Sequence, residues 1–178
     1  MTTTLASPAL VPNFDDDDNG GRKIAIICSK GNLDMAYPGL IIANAALGEG
    51  VETHVFFTFW GFDMITKSRM DHLQFSPAGN AAMHMPIGDA RLPQSLAPLP
   101  GMTTMATHML KKSIADLGVP EVPDFLDQIV AAGGHLWACR MSADMNHLTE
   151  TDLRDDVEGI ISAADFVELT AGAQLLFI

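Results

Sequence analysis

Basic side chains are scarce in this chain: 10 Lys and Arg stand against 22 Asp and Glu, for a formal net charge of −12. A nucleic-acid surface needs a basic face to neutralise phosphates, so no DNA or RNA partner is expected. Long apolar runs are missing too. No stretch reaches the roughly 18 to 20 uninterrupted apolar residues of a membrane helix, so no membrane span is expected. Hydrophobic residues nevertheless make up 48% of the chain, and the mean hydropathy is +0.19. That surplus is expected in one core and in subunit contacts. The start of the chain has neither a basic segment followed by an apolar core nor an Arg-rich amphipathic stretch, so a cytoplasmic location is expected. Cysteine is limited to two positions, too few for a disulfide framework, and both are read as thiols. The six histidines show no HxxxH or HExxH spacing and the cysteines no CxxC, so no metal site is expected.

With 178 residues the chain can bury one good core but not two. Residues 1–21, "MTTTLASPALVPNFDDDDNGG", are read as a flexible acidic leader, since Pro, small polar residues and four aspartates cannot offset their ordering entropy. Residues 22–178 are read as one domain. Ile24 to Cys28 is a short β-branched apolar run, the pattern of a strand buried on both faces. A helix follows within "NLDMAYPGLIIANAALGEG", with Leu33, Leu40, Ile41 and Leu47 at helical spacing and stop signals at Gly48 and Gly50, and Pro38 predicts a kink or a late start. "ETHVFFTFWG" is a second strand, "VPDFLDQIVAAGG" an amphipathic helix and "HLWACRM" a third strand; "VEGIISAADFVELTAGA" reads as a short strand plus helix, and "QLLFI" as a final strand. Strands alternating with helices predict an α/β fold: a three-layer α/β/α domain with a mostly parallel sheet of about five strands, flavodoxin-like in outline. Residues 62–112 form a long Met-rich insert, including Met64, Met70, Met83, Met85, Met102, Met105 and Met109, adaptable groups suited to interfaces, a lid or the core.

In open α/β sheets ligands bind beyond the carboxyl ends of the strands. Three segments meet that condition: "CSKG", "WGFD" and "CRMSAD". Ser29, Lys30 and Gly31 form a small-residue loop able to cradle an anion, and Gly61 ends the second strand. The spacing of a phosphate loop or a dinucleotide fold is missing, so nucleotide or other small-ligand binding there is a remote reading. Cys139 is followed by Arg140 and a polar, helix-compatible stretch containing Met141 and Ser142. Backbone N–H groups and a guanidinium there favour the thiolate; a buried, inert cysteine fits the same strand end. Cys28 ends the first strand with four apolar predecessors and reads first as packing. Were the two strands neighbours, the thiols could meet in a transient disulfide. A nucleophilic set of Cys139, Asp144 and His147 is set aside because the histidine falls on another turn.

The pieces "SKGNLDMAYPGLIIANAALGEGVETHVFFTFWGFDMI" and "LWACRMSADM" closely resemble the DsrE/DsrF-like superfamily, in the single-domain DsrE-like branch, over Lys23 to Ile178. The resemblance implies a sulfurtransferase or sulfur carrier that accepts sulfane sulfur on one cysteine, here Cys139, as a persulfide or thiosulfonate. It implies transfer to a thiol acceptor such as a TusA-type carrier protein, homo-oligomeric assembly, and no metal or organic cofactor. Cys28 would be a possible second thiol that tunes or resolves the adduct. Arg140 departs from the "ACSMSMD"-like form of the branch. The contrasting expectation is a non-catalytic oligomeric subunit or binding module.

Overall fold

Short β-branched and aromatic runs become strands here because a helical layer covers one face of the sheet that they form. The computed structural model describes residues 21–81, 83–84 and 91–178; residues 1–20 of the leader and Met85 lie outside the described residues. The strands are β1 (Lys23–Cys28), β2 (Glu52–Phe57), β3 (His135–Cys139), β4 (Gly159–Ile161) and β5 (Gln174–Phe177). All pair in parallel, in the order β4-β3-β2-β1-β5. The helices are α1 (Leu33–Gly48), α2 (Met102–Asp116), α3 (Val122–Ala131), α4 (Arg140–Asn146) and α5 (Ala163–Leu169). This is a three-layer α/β/α arrangement, as the alternation of elements predicts.

Strand order decides how the two faces are covered. From β1 to β4 each step moves to the next strand in the same direction, so right-handed crossovers put their helices on one face. The step from β4 to β5 returns across the whole sheet and puts α5 on the other. On the first face Ile26, Val55, Phe57, Leu136 and Ala138 meet α1 and α3, and all are fully buried. On the second, Ala25, Phe56 and Cys139 meet Phe166 of α5. The rings of Phe56 and Phe166 stack at 4.4 Å. The seven-residue α5 is too short to cover five strands. Leu175 and Phe177 share the face of Ala25 and Ile27 by register and stay 65% and 67% exposed.

Several boundaries differ from the sequence expectation. β3 ends at Cys139, because Arg140 and Met141 already belong to α4. β2 ends at Phe57, and "FWGFDMI" winds into a 3-10 segment, Phe59–Ile65. Pro38 neither delays nor stops α1; it forgoes one hydrogen bond, to the carbonyl four residues back. Within the insert α2 forms, preceded by Gly101 at φ 87°, a backbone geometry that glycine accepts without strain. Met64 is fully buried and Met83 packs on the core, whereas Met105 is exposed.

Candidate functional site

Two cysteines that end parallel strands look alike in sequence, and the sheet separates them. Cys28 and Cys139 lie on β1 and β3 with β2 between. Alternation turns Cys28 toward the α1 face and Cys139 toward the α5 face. The pairing of thiols in a transient disulfide is thereby overturned: the strands are not neighbours and the side chains point to opposite faces. Cys28 is 1% exposed, closed over by α1 at Gly39, where a Cβ would come within 2.8 Å of its Sγ. Desolvation pushes its thiol up from 9.0 to about 12.

That raised value has a consequence for stability. The unfolded thiol ionises first as pH rises, so the stabilisation is complete below about 9 and is lost toward 12. The expected slope is up to about 1.4 kcal/mol per pH unit. Urea titrations between these limits check it: Cys28→Ala should flatten the alkaline decline, and an unchanged slope would refute it.

Cys139 sits in a different setting. It is only 5% exposed, yet it lines an apolar groove of about 560 Å³ with Ile27, Phe59, Met141 and Phe177. Burial raises its thiol, but hydrogen bonds from the Thr58 hydroxyl, the Ser142 backbone and hydroxyl, and the Met141 backbone outweigh it and hold the thiol below the usual cysteine value. Cys139 is the residue just before α4, which is why the N–H groups of Met141 and Ser142 face its sulfur. Ser142 is fully buried; its hydroxyl lies 3.3 Å from that of Thr58 and accepts the Phe59 N–H at 2.7 Å. To give that N–H, Phe59 adopts φ 47°, a left-handed geometry that costs a non-glycine residue about 1 kcal/mol. Backbone strain and a buried hydroxyl pair thus converge on one thiol.

Removing Ser142 Oγ deletes a donor to the sulfur and the acceptor for Phe59. Ser142→Ala is expected to move the midpoint of the Cys139 alkylation profile upward in pH. At neutral pH the rate should fall about threefold, since loss of thiolate outweighs the gain in intrinsic nucleophilicity. Iodoacetamide rates across pH test this, and an unmoved midpoint would exclude the hydroxyl from the cradle.

The structure brings Cys139, Arg140 and Met141 into the groove wall with Ser142 behind them, and the "SKG" loop does not line that groove. Arg140 lines the groove, with its guanidinium donating to the Ile160 carbonyl; hydroxyl and amide donors, not this cation, lower the thiol. Both the N–H and the hydroxyl of Ser29 donate to the Ile178 carbonyl at 2.8 Å. Lys30 is exposed. Gly31 and Gly61 act by close approach: a Cβ would lie 2.3 Å from the Trp60 carbonyl oxygen at Gly31 and 2.1 Å from that of Cys28 at Gly61. Sequence reasoning missed Thr58, whose signal was a lone hydroxyl interrupting "VFFTFW". Among the described residues no group of three or more His, Cys, Asp and Glu is placed to hold a metal. His54 stacks on His135 with ring centroids 4.6 Å apart. His54 is occupied by Glu52 at Nε2 and by Trp137 Nε1–H at Nδ1.

Known proteins are similar to this chain in sequence. The chain is 37% identical over 146 residues to the sulfur carrier protein DsrE2 of Allochromatium vinosum, covering 82% of this chain and 91% of that protein. It is 29% identical over 159 residues to the uncharacterized protein YrkE of Bacillus subtilis, covering 88% and 97%. The model of the DsrE/DsrF/DrsH-like family matches residues 21–177. A parallel five-stranded sheet carrying a cradled thiol at the end of β3 is therefore the work of a chain that belongs to the DsrE/DsrF/DrsH-like family.

Proposed function

We propose that the chain is a cytoplasmic sulfur-relay protein, a sulfurtransferase or carrier, that loads sulfane sulfur on Cys139 and hands it to the thiol of a TusA-type partner. The observation that carries this reading is a thiol at the start of α4, beside the Thr58 and Ser142 hydroxyls, held below its ordinary value while lining an apolar groove. A relative with 37% identity named as a sulfur carrier supports it.

The Cys139 thiolate attacks the outer sulfur of thiosulfate, the S–S bond of the donor breaks, and sulfite leaves with its electron pair. Cys139 is left as a persulfide anion. With a persulfide or polysulfide donor the leaving group is the shortened thiolate. Met141 N–H, Ser142 and Thr58 stabilise the anionic sulfur throughout, as fixed donors that need no reorganisation. An acceptor thiolate then attacks the outer sulfur and releases Cys139 as thiolate, so no oxidant is consumed. Ser29, Lys30, Gly31 and Gly61 support the loops beside this site, and Cys28 serves packing.

Homo-oligomeric assembly fits the uncovered second face. Leu175 and Phe177, on the same face of β5, are each about two-thirds exposed, apolar surface that a second copy can cover. A single domain spanning 22–178, joined to its leader, accommodates all of this. The test is mass mapping of tryptic peptides after incubation with thiosulfate or polysulfide. A reducible adduct on the Cys139 peptide supports the relay; no adduct with any donor removes the chemistry and leaves a binding subunit.

A further inference from the structure

Phe59 lines the thiol groove, and the next residue, Trp60, lines a second cleft of about 600 Å³ with a polar wall. The cleft holds a pair of opposite charges that are only partly committed to each other. Arg69 Nη1 donates to Asp63 Oδ1 at 2.8 Å and to Asn146 Oδ1 at 3.1 Å. Among the described residues the Nε and Nη2 edge of that guanidinium makes no hydrogen bond, nor does Asp63 Oδ2. The two side chains are 37% and 29% exposed. A guanidinium edge with two parallel N–H groups fits a carboxylate, bidentate. The free carboxylate oxygen beside it fits an ammonium. Thr103, in the first turn of α2, shares the wall, and that turn has no side-chain cap, which adds to the preference for a carboxylate next to Arg69. Gln74 offers an amide, and the 60% exposed indole of Trp60 an apolar surface.

We propose that this cleft binds the head group of a small α-amino acid, the class of ligand that carries a carboxylate and an ammonium on one carbon. Arg69 takes the carboxylate, Asp63 the ammonium, and Trp60 packs on the remainder. Asn146 ties the cleft to the thiol: it accepts from Arg69 and donates from Nδ2 to the Ser142 carbonyl at 2.8 Å. A bound head group is therefore separated from the residue that cradles Cys139 by one side chain. The assignment goes beyond sulfur transfer and does not depend on it, because ligands unable to exchange sulfur suffice to test it.

The experiment is calorimetric titration of the full chain with S-methylcysteine and with its two halves, S-methylcysteamine and 3-(methylthio)propionate. S-methylcysteine should saturate with a Kd of about 1 mM or lower. Each half-ligand should bind about tenfold more weakly or worse, since it leaves one charge of the cleft unpaired. Arg69→Ala and Asp63→Asn should each weaken S-methylcysteine about tenfold, and Arg69→Lys should recover only part of the loss because it keeps the charge without the fork. The proposal is overturned if S-methylcysteine does not saturate, if a half-ligand binds as well, or if Arg69→Ala with an unchanged circular-dichroism spectrum binds like the wild type.

Discussion

Cys139→Ser is expected to abolish sulfur loading while the chain stays folded. A serine hydroxyl keeps the hydrogen bonds of the Thr58 and Ser142 cradle but supplies no thiolate, and attack on sulfane sulfur requires one. Since Cys139 already faces hydroxyls and backbone amides, the replacement adds no unpaired polar group, and stability should change by less than about 1 kcal/mol. The matched control is Cys28→Ala rather than Cys28→Ser, because a hydroxyl among Ile26, Gly39 and Ile178 would be buried without a partner at a cost of about 1 to 3 kcal/mol. Cys28→Ala should load sulfur at the wild-type level. Intact-protein mass spectrometry after donor treatment separates the cases. Loading that persists in Cys139→Ser, or disappears in Cys28→Ala, would move the chemistry to the other face of the sheet.

Gly61→Ala carries the largest expected effect on folding. Its Cβ would lie 2.1 Å from the Cys28 carbonyl oxygen, 2.7 Å from the carbonyl carbon and 3.2 Å from the Ser29 nitrogen. All three atoms are backbone, so no side chain can swing away. The same Cys28 carbonyl accepts the Thr58 N–H at 3.0 Å, and the Thr58 carbonyl accepts the Gly61 N–H at 3.0 Å. Relief of the overlap must therefore displace Thr58 and with it a donor to Cys139. The cost should exceed about 4 kcal/mol, a large share of the roughly 5 to 15 kcal/mol that holds a domain together. Urea denaturation reads it directly. Gly48→Ala, at a helix end with nothing within 4 Å, should match the wild type or exceed it slightly. Equal midpoints for the two variants would contradict the close approach.

The parts of this molecule that were legible in the sequence are those with a local cause. Ile24–Cys28 is a short apolar run and Glu52–Phe57 ends in one, Val55 to Phe57; both are closed by polar or glycine-containing loops, and they fold as strands. The α3 helix announces itself through Val122, Phe125, Leu126 and Ile129, which recur at helical spacing and are all buried. The α2 helix escaped notice because "MTTMATHMLKKSIAD" buries only Ala106, so its apolar stripe is faint and its threonines blur the pattern. Strand order has no local signature. That is why the distance between Cys28 and Cys139, open in the sequence, is decided by β2 lying between them. The thiol itself was legible, since a cysteine at a strand-to-helix junction has a recognisable electrostatic logic. Its cradle was not: Thr58 and Ser142 are 84 residues apart, and only the pairing of β2 with β3 brings them together.

The pairing of β5 with β1 has a consequence for synthesis on the ribosome. Ile24 to Ile27 meet their partners Gln174 to Phe177 across nearly the whole chain, whereas β1, β2 and β3 assemble from segments that emerge earlier. The thiol cradle can therefore close while one edge of β1 still presents bare amide and carbonyl groups to solvent. Until Gln174 to Phe177 arrive, that edge is a template for any extended segment nearby. For a nascent chain of this composition the hazardous interval runs from the emergence of β3 to that of β5, and it is there that a chaperone able to shield a strand edge would have the most to protect.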